Sequence, residues 1–467
     1  MKYYVMSIFL LFSLILSNPF DGLTLITATF SDRNGASTIL IDNDENIINS
    51  WEHDYGLSSV AYLTQDSILF VPRRSPSGGN GPNGGLFQKI DWDGNIIWEW
   101  SIPTEICIPH HDIAILPNQN ILMICSETKT QEEVQLAGIE DINGPMILDM
   151  IIEVQPLENN QAEVVWEWRF WDHLIQDIGP EYATPYGNIS DHPELLDINV
   201  TGSGNDQGIS DWNHSNKISY NAQFDQIVIS CRHMNEIFII DHSTTTEEAA
   251  GHTGGIQGKG GDILYRWGNP RNYDRGTVDN QLFFAQHGID WIPDGYPGEG
   301  NFLVFNNRNQ DHPNEQSAVI EFESIADENG FYPIEDNQPF GPSEFIWFYQ
   351  DDFFSNIQSG AYRLPNGNTL ITVTSQERIF EISYSGEVQW EHSQDIRCAR
   401  ALKYSFDYFN NHLNGDMNDD NALNILDVVI IVQMILGNQE VNLNGDMNSD
   451  GGLNIQDIIL LMNIIID

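Results

Sequence analysis

Apolar and polar residues alternate in short runs along most of the chain, and the runs turn over at Asn, Gly, Pro and Asp clusters. A period of two in segments this short predicts half-buried strands joined by tight turns. Two stretches, HHDIAILPNQNILMI (110–124) and QSGAYRLPNGNTLIT (358–372), superimpose residue for residue through LPN-x-N-x-L, and no long helical period appears before residue 410. A tryptophan marks one strand of each recurring unit: Trp51, Trp98, Trp166, Trp267, Trp347 and Trp390. Six repeats of short β-branched and aromatic strands predict an all-β fold, a six-bladed β-propeller whose blades surround a central channel. The N-terminal LTLITATF is expected to complete a blade with the last unit, RIFEISYSGEVQWEH. Insertions at about 128–145, 172–210 and 242–262 break the period and are expected as loops at one rim.

The two ends read differently. Met1 and Lys2 precede an apolar run from Tyr3 to Leu16, then Ser17, Asn18 and Pro19, which predicts a secretory signal over 1–17; a retained anchor is the alternative. No other segment is long and apolar enough to cross a bilayer, so stable membrane insertion is not expected. The propeller is assigned to 18–410 and a small α-helical module to 411–467. That tail holds two copies of one motif, DMNDDNALNILD (416–427) and DMNSDGGLNIQD (446–457), each with oxygen side chains at positions 1, 3, 5, 9 and 12. Hard Ca²⁺ needs six or more oxygens from a tightly turning backbone, which this spacing supplies. Each loop runs into an apolar helix, Val428 to Leu436 and Ile458 to Ile466, with little helix before it. The pair resembles a type I dockerin. By that resemblance the calcium ligands are Asp416, Asn418, Asp420, Asn424 and Asp427, then Asp446, Asn448, Asp450, Asn454 and Asp457, and a cohesin-like scaffold is the partner. Asn421 replaces the glycine found at Gly451 in the tight turn. A terminal knob without a partner remains the plainer alternative for the tail.

The chain has 467 residues and a net charge of −49, from 68 Asp and Glu against 19 Lys and Arg. Nucleic acid and anionic membrane surfaces are excluded as partners, since both need clustered Lys and Arg. The acidity reads as a solvated surface in a salty or calcium-rich medium, in keeping with export to the periplasm, the exterior or the cell surface. Four cysteines, Cys107, Cys125, Cys231 and Cys398, are too few for a disulfide scaffold. Cys125 and Cys231 match in the repeat and read as buried thiols, unless the blade lets Cys107 bridge Cys125.

Chemistry is sought at one equivalent slot per repeat. With His111 as reference, the slot holds Ser58, Ser359, His214 in DWNHSNKISY and His287 in FFAQHGIDWIP. Residues at equivalent inner-strand positions converge on a propeller's channel, so these three histidines can share one site. Arg232 in QIVISCRH and Arg308 in FNNR are candidate anion binders; Trp212, Tyr220 and Trp291 are candidates for a phenol-sized pocket, or else blade core. His110 competes with His111, because a one-residue slip reverses which side chain faces the channel. Imidazole can act as a nucleophile beside cations that hold an anionic group, or three imidazoles can hold zinc.

The segments HHDIAILPNQNIL, DWNHSNKISY, QIVISCRHMNEIFIID, QHGIDWIPDG with FLVFNNR, and AYRLPNGNTLI with RIFEISYSGEVQWEH resemble the bacterial arylsulfate sulfotransferase family over roughly residues 30 to 400. The resemblance implies a six-bladed propeller that moves a sulfuryl group from a phenolic sulfate ester to a phenol by a ping-pong route. No nucleotide donor and no cofactor are implied for the transfer. By motif, His287 is the residue that becomes sulfurylated, and His111, His214 and Arg232 are the sulfuryl-binding and proton-handling groups. Two other readings stay open: a zinc-dependent propeller hydrolase or lactonase, and a surface propeller that binds a ligand without catalysis.

Overall fold

The structure is a computed structural model that describes residues 18–28, 36–54, 56–74, 84–200, 211–308, 316–393, 397–409, 415–418, 423–439, 441–448 and 452–466. The expected signal at 1–17 lies outside the described residues, as do Asp420, Asn421, Asp450 and Gly451. Among the described residues no helix is long and apolar enough to cross a membrane. The chain divides into two compact units, one of residues 1–62 and 69–403 and the other of residues 63–68 and 404–467.

Six four-stranded antiparallel sheets make the first unit a six-bladed β-propeller. Blade 1 opens at Tyr62–Leu63, blade 2 at Ile108–Ile115, blade 3 at Ser215–Asn221, blade 4 at His287–Trp291 and blade 5 at Gly360–Arg363. Blade 6 joins the two ends of the propeller: its innermost strand is Leu402–Ser405 and its outer three are Gly22–Thr27, Ala36–Ile41 and Ile47–His53. LTLITATF therefore does not pair with RIFEISYSGEVQWEH. Arg378–Ile382 and Val388–Ser393 already fill the outer half of blade 5, and the next strand takes up the N-terminal segment.

The marker tryptophans all lie on outermost strands, and each donates its indole N–H to the turn between the third and fourth strands of the next blade. Trp51 reaches the Asp91 carbonyl at 2.9 Å, Trp98 that of Leu157 at 3.0 Å, and Trp166 the Thr244 hydroxyl at 3.2 Å. Trp267 reaches Pro342 at 2.8 Å, Trp347 Tyr384 at 2.9 Å and Trp390 Asn43 at 3.0 Å, which closes the ring. A flat indole thus fills each interblade wedge and also satisfies one carbonyl or hydroxyl of the neighbouring blade. Each such bond contributes about 1 kcal/mol net beyond the apolar area it covers.

Strand polarity corrects the expectation that all three insertions lie at one rim. Residues 128–145 join second to third strand and 172–210 join blade to blade, so both leave from the end where the first strands begin. Residues 242–262 join the third to the fourth strand of blade 3, which an antiparallel ladder puts at the opposite end. Cys107 and Cys125 form a disulfide across the first hairpin of blade 2, with Cα atoms 5.6 Å apart, and Cys231 and Cys398 are buried free thiols.

In the second unit, helices Ile425–Ile435 and Ile455–Ile466 start three residues earlier than their apolar runs suggest. The reason is capping: Asn424 accepts from the Leu426 N–H while Asp427 accepts from the Asn424 N–H, both at 2.8 Å. Asn454 and Asp457 repeat the pair at 2.8 Å each. Loop positions 9 and 12 are therefore also the cap and third residue of a helix. Val428, Ile431 and Leu461 form the core between the helices.

Candidate active site

The first strands of blades 2, 3 and 4 each begin with a break in register, between Pro109 and Ile113, Ser215 and Lys217, and His287 and Asp290. A bulge there bends the strand and re-aims one side chain toward the channel. His111 (φ 60°), His214 (φ 51°) and Ser359 (φ 81°) hold left-handed backbone, so three of the five slot residues share one strained conformation, while Ser58 and His287 do not. Such strain costs about 1–3 kcal/mol per residue and is concentrated at working sites. In blade 4 the left-handed residue is Gly288 (φ 63°), next to His287, where a Cβ would come 2.9 Å from the Gly360 Cα.

These bulges bring His111, His214, Arg232 and His287 to one mouth of the channel. The His111 and His214 rings lie 4.7 Å apart edge to face, and the Arg232 N–H donates to the His214 carbonyl at 3.1 Å. Burial, followed by the charges of His214, His110, His287 and Arg400, holds the His111 pKa well below its ordinary value. Burial and then the Arg232 charge do the same to His287. Both imidazoles are therefore neutral at neutral pH. Arg232 is lowered by burial and by the charge of Arg308, so two guanidiniums face one space, and the Arg308 Nε is buried without a hydrogen-bond partner.

The groups behind these side chains set their tautomers. His287 Nδ1 lies 2.7 Å from Asn307 Oδ1 and 3.2 Å from the Ala285 carbonyl. The Asn307 amide is oriented by its own donations to Ser355 O at 3.0 Å and Gln358 O at 2.9 Å. Both neighbours of Nδ1 are acceptors, so Nδ1 carries the proton and Nε2 keeps its lone pair. His110 stands behind His111: His110 Nε2 is 2.9 Å from Asp149 Oδ1, and the Nδ1 atoms of the two histidines are 2.7 Å apart. Of that pair, His111 is the one that meets His214. His214 Nδ1 lies 2.6 Å from Asp211 Oδ2. Burial raises the Asp211 pKa, but the His214 hydrogen bond and charge outweigh it and leave the carboxyl below its ordinary value.

Deeper in the channel every blade contributes one side chain to a buried polar belt: Tyr62, Asp112, Lys217, Asp290, Tyr362 and Arg400. Arg400 pairs with Asp112 at 2.6 Å, and Lys217 lies 3.3 Å from Asp112 and 3.1 Å from Asp290. The Tyr62 hydroxyl donates to Asp112 at 2.8 Å. Beyond the belt lies a cavity of about 710 Å³, and this is where Tyr220 and Trp291 are found, among its lining residues. They do not meet the histidines, because they occupy the far ends of first strands, on the order of 13–20 Å further along at the usual rise. Trp212 is core, packed between blades 2 and 3 with its indole N–H on the Val200 carbonyl at 3.0 Å. The three expected pocket aromatics are thus not brought to the site.

Sequence reading missed Asn307, Asp149, Asp211 and Arg400. Asn307 sits beside Arg308 in FNNR and Asp211 three residues before His214, but a lone Asn or Asp carries no chemical signature until its partner is known. Asp149, on the third strand of blade 2, has no counterpart signal in the repeat. Among the described residues, ligand atoms of Asp211, His214 and His233, and of His173, His252 and Asp262, converge to within 4.8 Å; the trio His111, His214 and His287 does not form such a group.

The profile of the arylsulfotransferase (ASST) family matches residues 21–408, which spans all six blades. The chain belongs to that family. Membership makes it a sulfotransferase on a propeller scaffold, with a donor and an acceptor to bind. No curated protein matches the chain. Among solved structures, a Bacteroides caccae protein of unknown function is similar at 12% identity and TM-score 0.43, covering 82% of this chain and 98% of its own. A periplasmic gluconolactonase from Pseudomonas aeruginosa is similar at 11% identity and TM-score 0.41, covering 82% and 99%. A streptogramin B lyase is similar at 11% identity and TM-score 0.36, covering 80% and 84%.

Proposed function

We propose that the chain is an exported aryl sulfotransferase that moves a sulfuryl group from a phenolic sulfate ester to a phenol through a sulfohistidine at His287. The observation that carries this is the state of His287: neutral, with its proton held on Nδ1 by Asn307, its Nε2 lone pair left over, and the Arg232 charge near enough to help depress its pKa. In the first half-reaction Nε2 attacks sulfur, the S–N bond forms and the S–O bond to the aryl group breaks. The electron pair leaves with the phenolate oxygen, which takes a proton from His214, whose Nδ1 is held by Asp211. In the second half-reaction His214 removes the acceptor phenol's proton, the phenolate attacks sulfur and the S–N bond breaks. The transition state spreads charge over the peripheral sulfuryl oxygens, as in phosphoryl transfer, so positioned cations supply most of the rate. Arg232 and Arg308 provide them, and His111, its Nδ1 held by His110 and through it by Asp149, stands beside His214.

Intact-mass spectrometry after brief exposure to 4-nitrophenyl sulfate tests this. A gain of about 80 Da, one SO₃ by formula, is expected in the wild type, lost on adding a phenol and absent in His287→Ala. No adduct and no released nitrophenol across several donors would overturn the reading.

Export is supported by the apolar run at Tyr3 to Leu16 and by the Cys107–Cys125 bridge, which belongs to an oxidising compartment. In the tail, the carboxylates of Asp416, Asp427, Asp446 and Asp457 are buried, and residues 404–467 contain no Lys or Arg. Buried carboxylates in a segment without basic residues fit a divalent cation. Asp416, Asn418, Asn424 and Asp427, and Asp446, Asn448, Asn454 and Asp457, are the described residues that would hold two Ca²⁺, with Asp420 and Asp450 completing the loops. Calcium there supplies charge neutralisation and loop rigidity, and the module docks the enzyme to a cohesin-like scaffold.

A further inference from the structure

His173, His252 and Asp262 converge in the wedge between blades 2 and 3, apart from the channel site. His173 belongs to a 3₁₀ turn after the outermost strand of blade 2, while His252 and Asp262 belong to the glycine-rich insertion 242–262. His173 is fully buried, stacked on Trp168 with ring centroids 5.4 Å apart. Its Nε2 faces the Ala249 carbonyl at 2.9 Å, which can only accept, so Nε2 carries the proton and Nδ1 keeps a lone pair. That lone pair nevertheless faces Asp262 Oδ1 at 2.9 Å, and His252 Nδ1 approaches the same oxygen at 2.7 Å. Two imidazole nitrogens and a carboxylate oxygen therefore converge on one point, an arrangement satisfied either by a second proton on His173 or by a bound metal cation.

We propose that His173 Nδ1, His252 Nδ1 and an Asp262 carboxylate oxygen bind a divalent transition-metal ion of the zinc type, which ties the insertion of blade 3 to the end of blade 2. Two nitrogens and one oxygen are donors that zinc accepts, with a fourth position left for water. The Ala249 carbonyl on His173 Nε2 is the outer partner that metal-binding imidazoles use to fix tautomer and ring orientation. The backbone is shaped for that contact: a Cβ on Gly261 would collide with the Ala249 oxygen and lie 2.6 Å from His173 Nε2. Zinc bonds of about 2.0–2.2 Å set tetrahedral donors roughly 3.3 Å apart, so the donors must open by about half an ångström. The exposed His252 ring can supply that movement by rotating. The ion would join residues 89 positions apart in sequence and act as a staple, with no part in sulfuryl transfer.

The test uses the full chain purified without chelator, incubated with Zn²⁺, gel-filtered and counted by inductively coupled plasma mass spectrometry. His252→Ala and His252→Gln are compared with the wild type; because His252 is exposed, both variants keep the buried pair intact. Each variant is expected to hold about one zinc fewer per chain. Zinc should raise the melting temperature of the wild type but not of the variants, and nitrophenol release should be unchanged in both. Because the readout is a difference at His252, zinc at the tail or at the channel histidines does not affect it. Equal zinc in all three proteins, or none in any, would overturn the proposal and leave the His173–Asp262 contact as a hydrogen bond only.

Discussion

Replacing Asn307 with Leu removes the acceptor that fixes the His287 tautomer while keeping the volume of the side chain. In the resting enzyme the bond from Nδ1–H to Asn307 Oδ1, at 2.7 Å, joins two neutral groups and contributes about 1 kcal/mol net. When Nε2 bonds to sulfur the ring gains positive character, and the same bond becomes charge-assisted, worth about 1.5–3 kcal/mol. The difference, about 0.5–2 kcal/mol, stabilises the transition state alone. At about 1.4 kcal/mol per factor of ten it predicts a loading step roughly 2- to 30-fold slower. The assay is single-turnover nitrophenol release from 4-nitrophenyl sulfate, with melting temperature measured alongside. Stability also falls, because the Ser355 and Gln358 carbonyls lose their donor. Asn307→Asp separates the two effects. It keeps an acceptor on Nδ1 but adds a negative charge, which raises the His287 pKa and moves the acid limb of the rate profile toward neutral pH. An Asn307→Leu enzyme that melts lower yet loads at the wild-type rate would refute the tautomer argument.

Four further outcomes are expected. Arg232→Lys keeps the charge but loses the planar fork, so loading should slow by about 10²-fold, against a smaller loss for Lys at Arg308; equal losses would remove the distinction. In the wild type the loading rate should show no acid limb near pH 6.5, because His111 and His287 are held well below the ordinary imidazole value; a rate that falls as the pH drops through 6.5 would contradict their burial. His242 is raised to about 9, burial being outweighed by Asp225 and Glu153. Its folded pKa lies above its unfolded value near 6.5, so its contribution of about 3 kcal/mol is complete below that value and lost as pH rises through about 9. Urea midpoints should fall over that window in the wild type but not in His242→Gln. Chelating calcium should lower the unfolding temperature of the tail while leaving nitrophenol release unchanged; a parallel loss of activity would make the tail part of the catalytic unit.

Fold and site were legible to different depths. The six tryptophans gave the blade count because each outermost strand needs a flat, N–H-bearing side chain against the next blade, a local demand repeated six times. Closure was not legible, since Leu402–Ser405 and RIFEISYSGEVQWEH are both short apolar strands and only the ladder distinguishes them. The histidine slot could be seen because a bulge recurs at one place in successive repeats. His110 and His111 could not be separated by pattern, because the bulge itself overrides strict alternation. Asn307 and Asp149 act on histidines 20 and 39 residues away, which no single stretch of sequence contains, whereas Asp211 stands three residues before His214 but shows its role only once the backbone turns the two together. The aromatics Tyr220 and Trp291 misled for a related reason: their place on a first strand puts them in the channel, but their distance along it puts them at the wrong end.

The belt of Tyr62, Asp112, Lys217, Asp290, Tyr362 and Arg400 also works as a keystone. Two cations and two carboxylates, with the Tyr62 hydroxyl, join blades 1, 2, 3, 4 and 6 around the axis through contacts of 2.6–3.3 Å. Truncating one member leaves its partner's charge buried and unpaired, a loss of about 3–5 kcal/mol that several blades share at once. The ring of sheets is thus fastened at its centre by charge as well as at its rim by the tryptophans.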